Sequence, residues 1–247
     1  MRSSALPSRA RGFSLIELAV AVVVIVIFLG SILVPLTTQV AQRKTSDTQK
    51  ALEEIKEALL GFAIAQGRLP CPASAASNGV ESYVGVVGAS PCTNPYDGFV
   101  PAATLGLAAT DGQGYAIDAW STRIRYAVTT ANANAFTAAN GMRTTGMAAL
   151  LPDLYVCASS TGITANDCGG AANTLVGTAP AVIYSLGPNW ATGGTSADEA
   201  ANLNNDRVLV FHVRSDPGVA SGEFDDIVTW LSANVLYSRM VSAGQLP

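Results

Sequence analysis

The chain has 247 residues, 13% of them charged and 49% hydrophobic, with a formal net charge of −4. Three of the 14 basic residues (Arg2, Arg9 and Arg11) fall in the first twelve positions, which leaves 11 bases against 18 acids, net −7, for the remainder. That balance argues against bulk electrostatic attraction to nucleic acid or anionic lipid, although a local basic patch stays open.

The N-terminal stretch organises the rest. The basic leader holds no acid before Glu17. The segment Gly12-Phe13-Ser14-Leu15-Ile16-Glu17-Leu18 opens an apolar run, and from Leu18 to Leu36 nineteen residues carry no charge. As a helix rising about 1.5 Å per residue, such a run is long enough to cross a hydrocarbon core. A carboxylate at its start costs a few kcal/mol if it faces lipid unpaired, so Glu17 sits near the interface or waits for a partner. A secretory signal peptide would place a small-residue cleavage site after the run. The sequence there, Val34-Pro35-Leu36-Thr37-Thr38, is a poor match.

A Gly-Phe-Ser-Leu-Ile-Glu-Leu segment behind a short basic leader resembles the type III signal of type IV pilins and type II secretion pseudopilins. The resemblance covers about the first fifth of the chain and implies a set of roles. A prepilin peptidase cuts after Gly12. Phe13 becomes the N-methylated first residue. Glu17 pairs with the free N-terminus of a neighbouring subunit during fibre assembly. The implied organisation is a leader at 1–12, a transmembrane and polymerisation half-helix at 13–36, an amphipathic half-helix at 37–66, and a head at 67–247. The implied location is the bacterial inner membrane, single-pass with a periplasmic head, and then a pilus or pseudopilus. The implied partners are other pilin or pseudopilin subunits, prepilin peptidase, the inner-membrane assembly platform, and membrane lipid before assembly, with no nucleic acid.

Gly30 and Pro35 interrupt the apolar run, and Pro35 removes a backbone donor, so a kink or a locally weak stretch is expected between them. Beyond it, Leu52, Ile55, Leu59 and Phe62 recur on one helical face, with Glu53, Glu54, Lys56 and Glu57 opposite. Glu53–Lys56 and Lys50–Glu54 are spaced for surface ion pairs. Gly67 and Pro70 read as a stop. A helix from Phe13 to Gln66 is roughly 80 Å long. No globular domain buries that whole length, so its second half is expected to pack on the head.

From Arg68 to about Tyr115 the chain reads as a long irregular stretch, bracketed in its first part by Cys71 and Cys92. Stretches of that length are functional or stapled. Four cysteines (Cys71, Cys92, Cys157 and Cys168) allow three pairings, of which Cys71–Cys92 with Cys157–Cys168 is the most local. The even count in an exported context favours disulfides. Zinc is disfavoured, because no Cys-x-x-Cys pair exists and the only histidine, His212, lies in an apolar run. Strands are expected at Thr122–Thr129, Leu154–Ala158, Ala181–Leu186 and Arg207–Val213, with connectors at Thr130–Gly146 and Ser159–Thr178. Asp225 or Asp226 is expected to cap a final helix carrying Ile227, Trp230, Leu231 and Val235 on its apolar face. The fold class that follows is α+β: a long N-terminal helix on an antiparallel sheet of about four strands, with a C-terminal helix. This agrees with the pilin fold that the resemblance implies.

Catalytic signatures are lacking. The sequence holds no Gly-x-Ser-x-Gly, phosphate-binding loop or His-Glu-x-x-His, and His212 reads as a strand residue, so no enzyme is expected. Trp120 and Trp230 read as core, Trp190 as exposed. The second informative set is Asp118-Ala119-Trp120, Tyr126, Ser185-Leu186-Gly187, Gly193-Gly194, Ala197-Asp198-Glu199, and Asp225-Asp226-Ile227 with Trp230. It looks like the head of the major pseudopilin of type II secretion, where a Ser-Leu-Gly-Ala-Asp loop binds calcium. The resemblance implies a calcium site, with Asp198, Glu199, Asn204, Asp206 and the Leu186 carbonyl as candidate ligands, since calcium takes six to eight oxygens. Pro188-Asn189 departs from the Ala-Asp of that family, the loop is longer, and Pro is missing before Trp120. The alternative is a polar surface loop. On these grounds the chain reads as a non-enzymatic minor pilin or pseudopilin. The competing reading is an adhesin or ligand-binding head on a pilin stalk.

Overall fold

The computed structural model describes residues 14–192, 194, 196–219 and 222–247, without the side chains of 28–37. Two compact units divide between Lys44 and Thr45. Helix α1 is Leu15–Gln66 and runs without interruption through Gly30 and Pro35, where a kink or a locally weak stretch is expected from sequence. In the first unit every described side chain from Ser14 to Ile27 is exposed, among them Leu15, Ile16, Val22 and Ile27.

In the second unit α1 supplies one wall of the core. Leu52, Ile55 and Leu59 are buried, as the periodicity predicts. Leu60 and Ala63 complete the stripe. Phe62 lies at its edge and is half-buried, with the Arg68 guanidinium 5.1 Å over its ring. Lys56 pairs with Glu53 as expected. Lys50 pairs with Asp47 at 3.6 Å rather than with Glu54. Gly67 ends the helix at φ +70°, its amide donating to Ala63 O, a left-handed cap that glycine adopts without strain.

The remaining elements are β1 (Gly98–Phe99), α2 (Ala102–Leu105), β2 (Arg125–Val128), α3 (Ala131–Asn134), α4 (Gly141–Thr145), β3 (Leu154–Cys157), β4 (Thr174–Ala179), β5 (Ala181–Ser185), α5 (Ala197–Ala201), β6 (Val208–Val210), β7 (Ile227–Leu231) and α6 (Ala233–Ser242). The architecture is α+β, with a four-stranded antiparallel sheet in the order β1-β2-β5-β7. The four strands expected from sequence do not all share it. Leu154–Cys157 and Val208–Val210 pair in parallel with each other, and β4 joins them in a second sheet, β4-β3-β6. Strand β4 lies in the stretch expected to be a connector. Its Gly177 packs beneath the Tyr155 ring, where a Cβ would sit 3.0 Å from the ring edge.

Residues 225–231 require a second correction. Neither Asp225 nor Asp226 caps a helix. Ile227-Val228-Thr229-Trp230-Leu231 is β-branched and aromatic, and it pairs along the whole of β5, from Ala181↔Leu231 to Ser185↔Ile227. The last helix starts at Ala233 and buries Leu236 and Met240, while Val235 is exposed.

Both local disulfides form, Cys71–Cys92 and Cys157–Cys168. The first staples the loop-rich segment, which is also fixed by a buried ion pair. Arg68 donates from both terminal nitrogens to Glu81, each at 2.8 Å, and from one of them to the Tyr83 hydroxyl at 2.7 Å. Trp120 and Trp230 are half-buried rather than fully in the core.

Candidate functional site

The N-terminal region begins with a capping box. Ser14 Oγ accepts from the Ile16 amide at 3.3 Å, and Glu17 Oε2 accepts from the Ser14 amide at 3.2 Å. A Ser-x-x-Glu pattern satisfies orphan amides at a helix start in this reciprocal way. Glu17 therefore has a partner within its own chain. Gly12 and Phe13, the expected processing positions, lie outside the described residues. Among the described residues no helix is long and apolar enough to cross a membrane. The apolar run is described with its side chains only as far as Ile27.

In the head, two sequence motifs meet through one hydroxyl. Asp118 Oδ1 accepts from the Trp120 and Thr122 amides, each at 2.8 Å, and so closes a tight turn. Asp118 Oδ2 accepts from Ser185 Oγ at 2.6 Å, and Ser185 Oγ accepts from the Gly187 amide at 3.2 Å. Asp118 and Ser185 are both buried. Thus the Asp-x-Trp turn fixes the start of the Ser-Leu-Gly loop at the end of β5. Gly187 then packs directly on Asp225. It has φ +63°, and a Cβ there would collide with Asp225 Oδ1 and with the Asp225 carbonyl oxygen.

Beyond Gly187 lies an acidic cluster. Glu199, Asp225 and Asp226 are all buried, and one carboxylate oxygen from each lies within 4.8 Å of the others. Helix α5 aims Glu199 inward: Ser196 caps it, accepting from the Glu199 amide at 3.2 Å. Glu199 Oε1 accepts from Asn189 Nδ2 and from the Asp225 amide, both at 3.0 Å. Asp226 Oδ2 accepts from Asn202 Nδ2 at 2.7 Å. Asn202 is itself locked to Val210 through both backbone groups. Both side-chain oxygens of Asp225 are buried with no hydrogen-bond partner. Burial, then the charges of Glu199 and Glu223, push the Asp225 carboxyl up to about 7, against the opposing charge of Arg214 and the nearby Asn189 backbone amide, which falls short of hydrogen-bond geometry. Burial likewise pushes Asp226 up to about 7. The Asn202 hydrogen bond opposes that rise, and the charges of Glu199 and Asp225 add to it.

The comparisons with known proteins bear on the other end of the chain. Residues 7–33 match the family model described as the prokaryotic N-terminal methylation motif. The chain carries a type IV pilin-like N-terminal signal. No curated protein and no solved structure matches. The match covers 27 residues, and a signal of this type implies processing by prepilin peptidase and assembly with other pilin subunits.

The second unit divides the predicted calcium ligands. Glu199 is in the cluster. Leu186 precedes Gly187, which packs on Asp225 of the cluster. Asp198 points elsewhere: it accepts from the Ser160 amide at 2.6 Å and from His212 Nε2 at 3.1 Å. His212 Nδ1 faces Val213 O at 2.8 Å, so the ring bonds both acceptors only when doubly protonated. Asn204 is exposed, and Asp206 Oδ1 accepts from the Val208 amide at 2.8 Å, setting the start of β6. Asp225, expected to be a cap, is instead the unpartnered carboxylate of the cluster. The donor set fits a hard cation. Oxygens on a shared calcium stand about 2.3–2.6 Å from it, so two of them can be at most about 5 Å apart. The three carboxylates would supply three of the six to eight oxygens that such an ion takes.

Proposed function

We propose that the protein is a non-enzymatic structural subunit, a minor pilin or pseudopilin, processed between Gly12 and Phe13 and assembled through its N-terminal helix. The observation that carries this reading is the methylation-type signal leading into a single helix that continues to Gln66. The exposed apolar residues from Leu15 to Ile27 need a covering, in lipid before assembly and in a helical bundle after it. Exchanging lipid for protein gains little hydrophobic energy, so pairing of Glu17 with the Phe13 amine of a neighbour acts on register more than on net stability. In the unassembled chain Glu17 is held by its own Ser14 amide, and assembly exchanges that neutral partner for a charged one. The Asp118–Ser185–Gly187 connection favours a pseudopilin of type II secretion. In this reading Glu199, Asp225 and Asp226 hold a calcium ion. The ion would neutralise buried carboxylates that otherwise repel one another, and so fix the loop around Trp190.

The test is Glu17→Ala in cells. Membrane insertion and leader cleavage are expected to persist while incorporation into the fibre is impaired. Normal incorporation would remove Glu17 from the assembly step. The ion is tested separately by calcium titration of the purified protein with calorimetric detection.

A further inference from the structure

A groove of about 480 Å³ opens between the Asp118 turn, the strand pair β1–β2 and the loop after β5. Phe99, Arg123, Arg125, Leu186, Trp190 and Leu203 line it. Its volume lies in the range of small-molecule sites.

Three features define what it would hold. The first is its charge balance. Arg123 Nε bonds Asp111 Oδ2 at 2.8 Å, and Arg125 pairs with Asp97. Each cation already faces its own carboxylate, so an anionic ligand would have to displace one of them. The second is a flat, ordered floor. The Arg123 guanidinium lies 4.0 Å over the Tyr115 ring, and Arg125 lies 5.1 Å over Phe99. Stacking of this kind fixes a guanidinium plane. A guanidinium has five N–H donors, and the bonds from Arg123 to Asp111 and Gln113 use two of its nitrogens. The third is Trp190. Its ring is 49% exposed. It is held in place by the turn in which the Thr192 amide and hydroxyl both donate to Asn189 O, while Asn189 Nδ2 is hooked to Glu199. At the opposite rim, Ser121 is held at φ +65° by the Asp118 turn, an uncommon conformation for a side-chain-bearing residue.

We propose that this groove binds a neutral carbohydrate of one or two sugar rings. The apolar face of a pyranose stacks on Trp190 and Leu186. Its hydroxyls accept from the guanidinium edges of Arg123 and Arg125 and exchange hydrogen bonds with the side chains of Ser121 and Thr122, which also line the groove. Charge-balanced pairs beside an exposed aromatic ring suit a ligand dense in hydroxyls and without charge. An acidic peptide gains nothing from cations that are already neutralised.

The mature full-length protein, in a detergent without a sugar headgroup, is titrated with maltose, lactose, cellobiose and N,N′-diacetylchitobiose, with saturation-transfer NMR as the readout. At least one of the four binds saturably with a dissociation constant on the order of 0.1–10 mM, as expected for a ligand of this size on an open site. Trp190→Ala weakens that binding at least about tenfold with the melting temperature unchanged, since the ring is half-exposed, and Trp190→Phe restores part of it. The proposal is overturned if none of the four saturates, if Trp190→Ala binds like the parent, or if only charged sugars such as glucuronate bind.

Discussion

Replacing Asp225 by asparagine is expected to have opposite effects with and without calcium. Both oxygens of Asp225 are buried without a donor, and its carboxyl is pushed from 3.8 to about 7 by burial first and by Glu199 and Glu223 next. A folded-state value above the unfolded one means that the folded chain holds a proton which the unfolded chain releases. The stabilisation from that proton is present below about pH 4 and is lost as pH rises to about 7. Above pH 7 the metal-free protein carries a buried carboxylate at a cost of roughly 2–4 kcal/mol, the lower end allowing for coupling to Asp226. Asp225→Asn removes that charge. In EDTA at pH 8 the variant should melt about 5–15 °C above the parent, at a few degrees per kcal/mol for a chain of this size. In calcium the order reverses. The parent gains about 4.1 kcal/mol at a thousandfold excess over its dissociation constant, enough to offset that cost, whereas the variant has lost a charged ligand and gains little. The assay is circular-dichroism melting of the mature protein in detergent, in EDTA and in calcium. A variant less stable than the parent in EDTA, or a parent that does not respond to calcium, would refute the reasoning.

Three further outcomes are expected. Gly187→Ala forces a Cβ into Asp225 at φ +63°, and it should cost at least about 2 kcal/mol and abolish the calcium response, read by the same melts. Arg68→Ala strands the buried Glu81 carboxylate and should cost about 3–5 kcal/mol in denaturant unfolding, while Arg68→Met with Glu81→Leu recovers much of it. Reduction of both disulfides under native conditions should lower stability by roughly 3 kcal/mol for each loop in the chain-entropy model, measured by denaturant midpoints with and without reductant.

The sequence was most legible where a single period or a local rule decides the outcome. The stripe Leu52, Ile55, Leu59 and the stop at Gly67 follow from helical geometry alone, and the two disulfides that form are the most local of the three possible pairings. It was least legible where tertiary pairing overrides local signals. Asp225-Asp226 followed by an apolar run satisfies the rule for a helix start. The run is nevertheless drawn into a strand, because β5 presents five backbone positions for pairing and β-branched residues fit them. Strand β4 was hidden because Gly177 breaks the alternation, and a Cβ there would press on the Tyr155 ring at 3.0 Å. The parallel pairing of β3 with β6 brings together segments some fifty residues apart, and no local pattern encodes it. The candidate cation site shows the same division. Glu199 and the Ser-Leu-Gly loop were readable as a motif, but the other two carboxylates arrive from the start of β7. Asp198, adjacent to Glu199 in sequence, is turned by the short helix α5 toward His212 instead.

The most direct measurement is mass spectrometry of the intact N-terminus of the protein purified from membranes of cells that express a prepilin peptidase. The expected product begins at Phe13, carries a single N-methyl group and lacks residues 1–12, and the uncut chain accumulates when the peptidase is deleted. A mature chain that keeps its leader, or one cut after the apolar run in the manner of a secretory signal peptide, would contradict the assignment of this N-terminus to pilin-type processing and with it the proposed role.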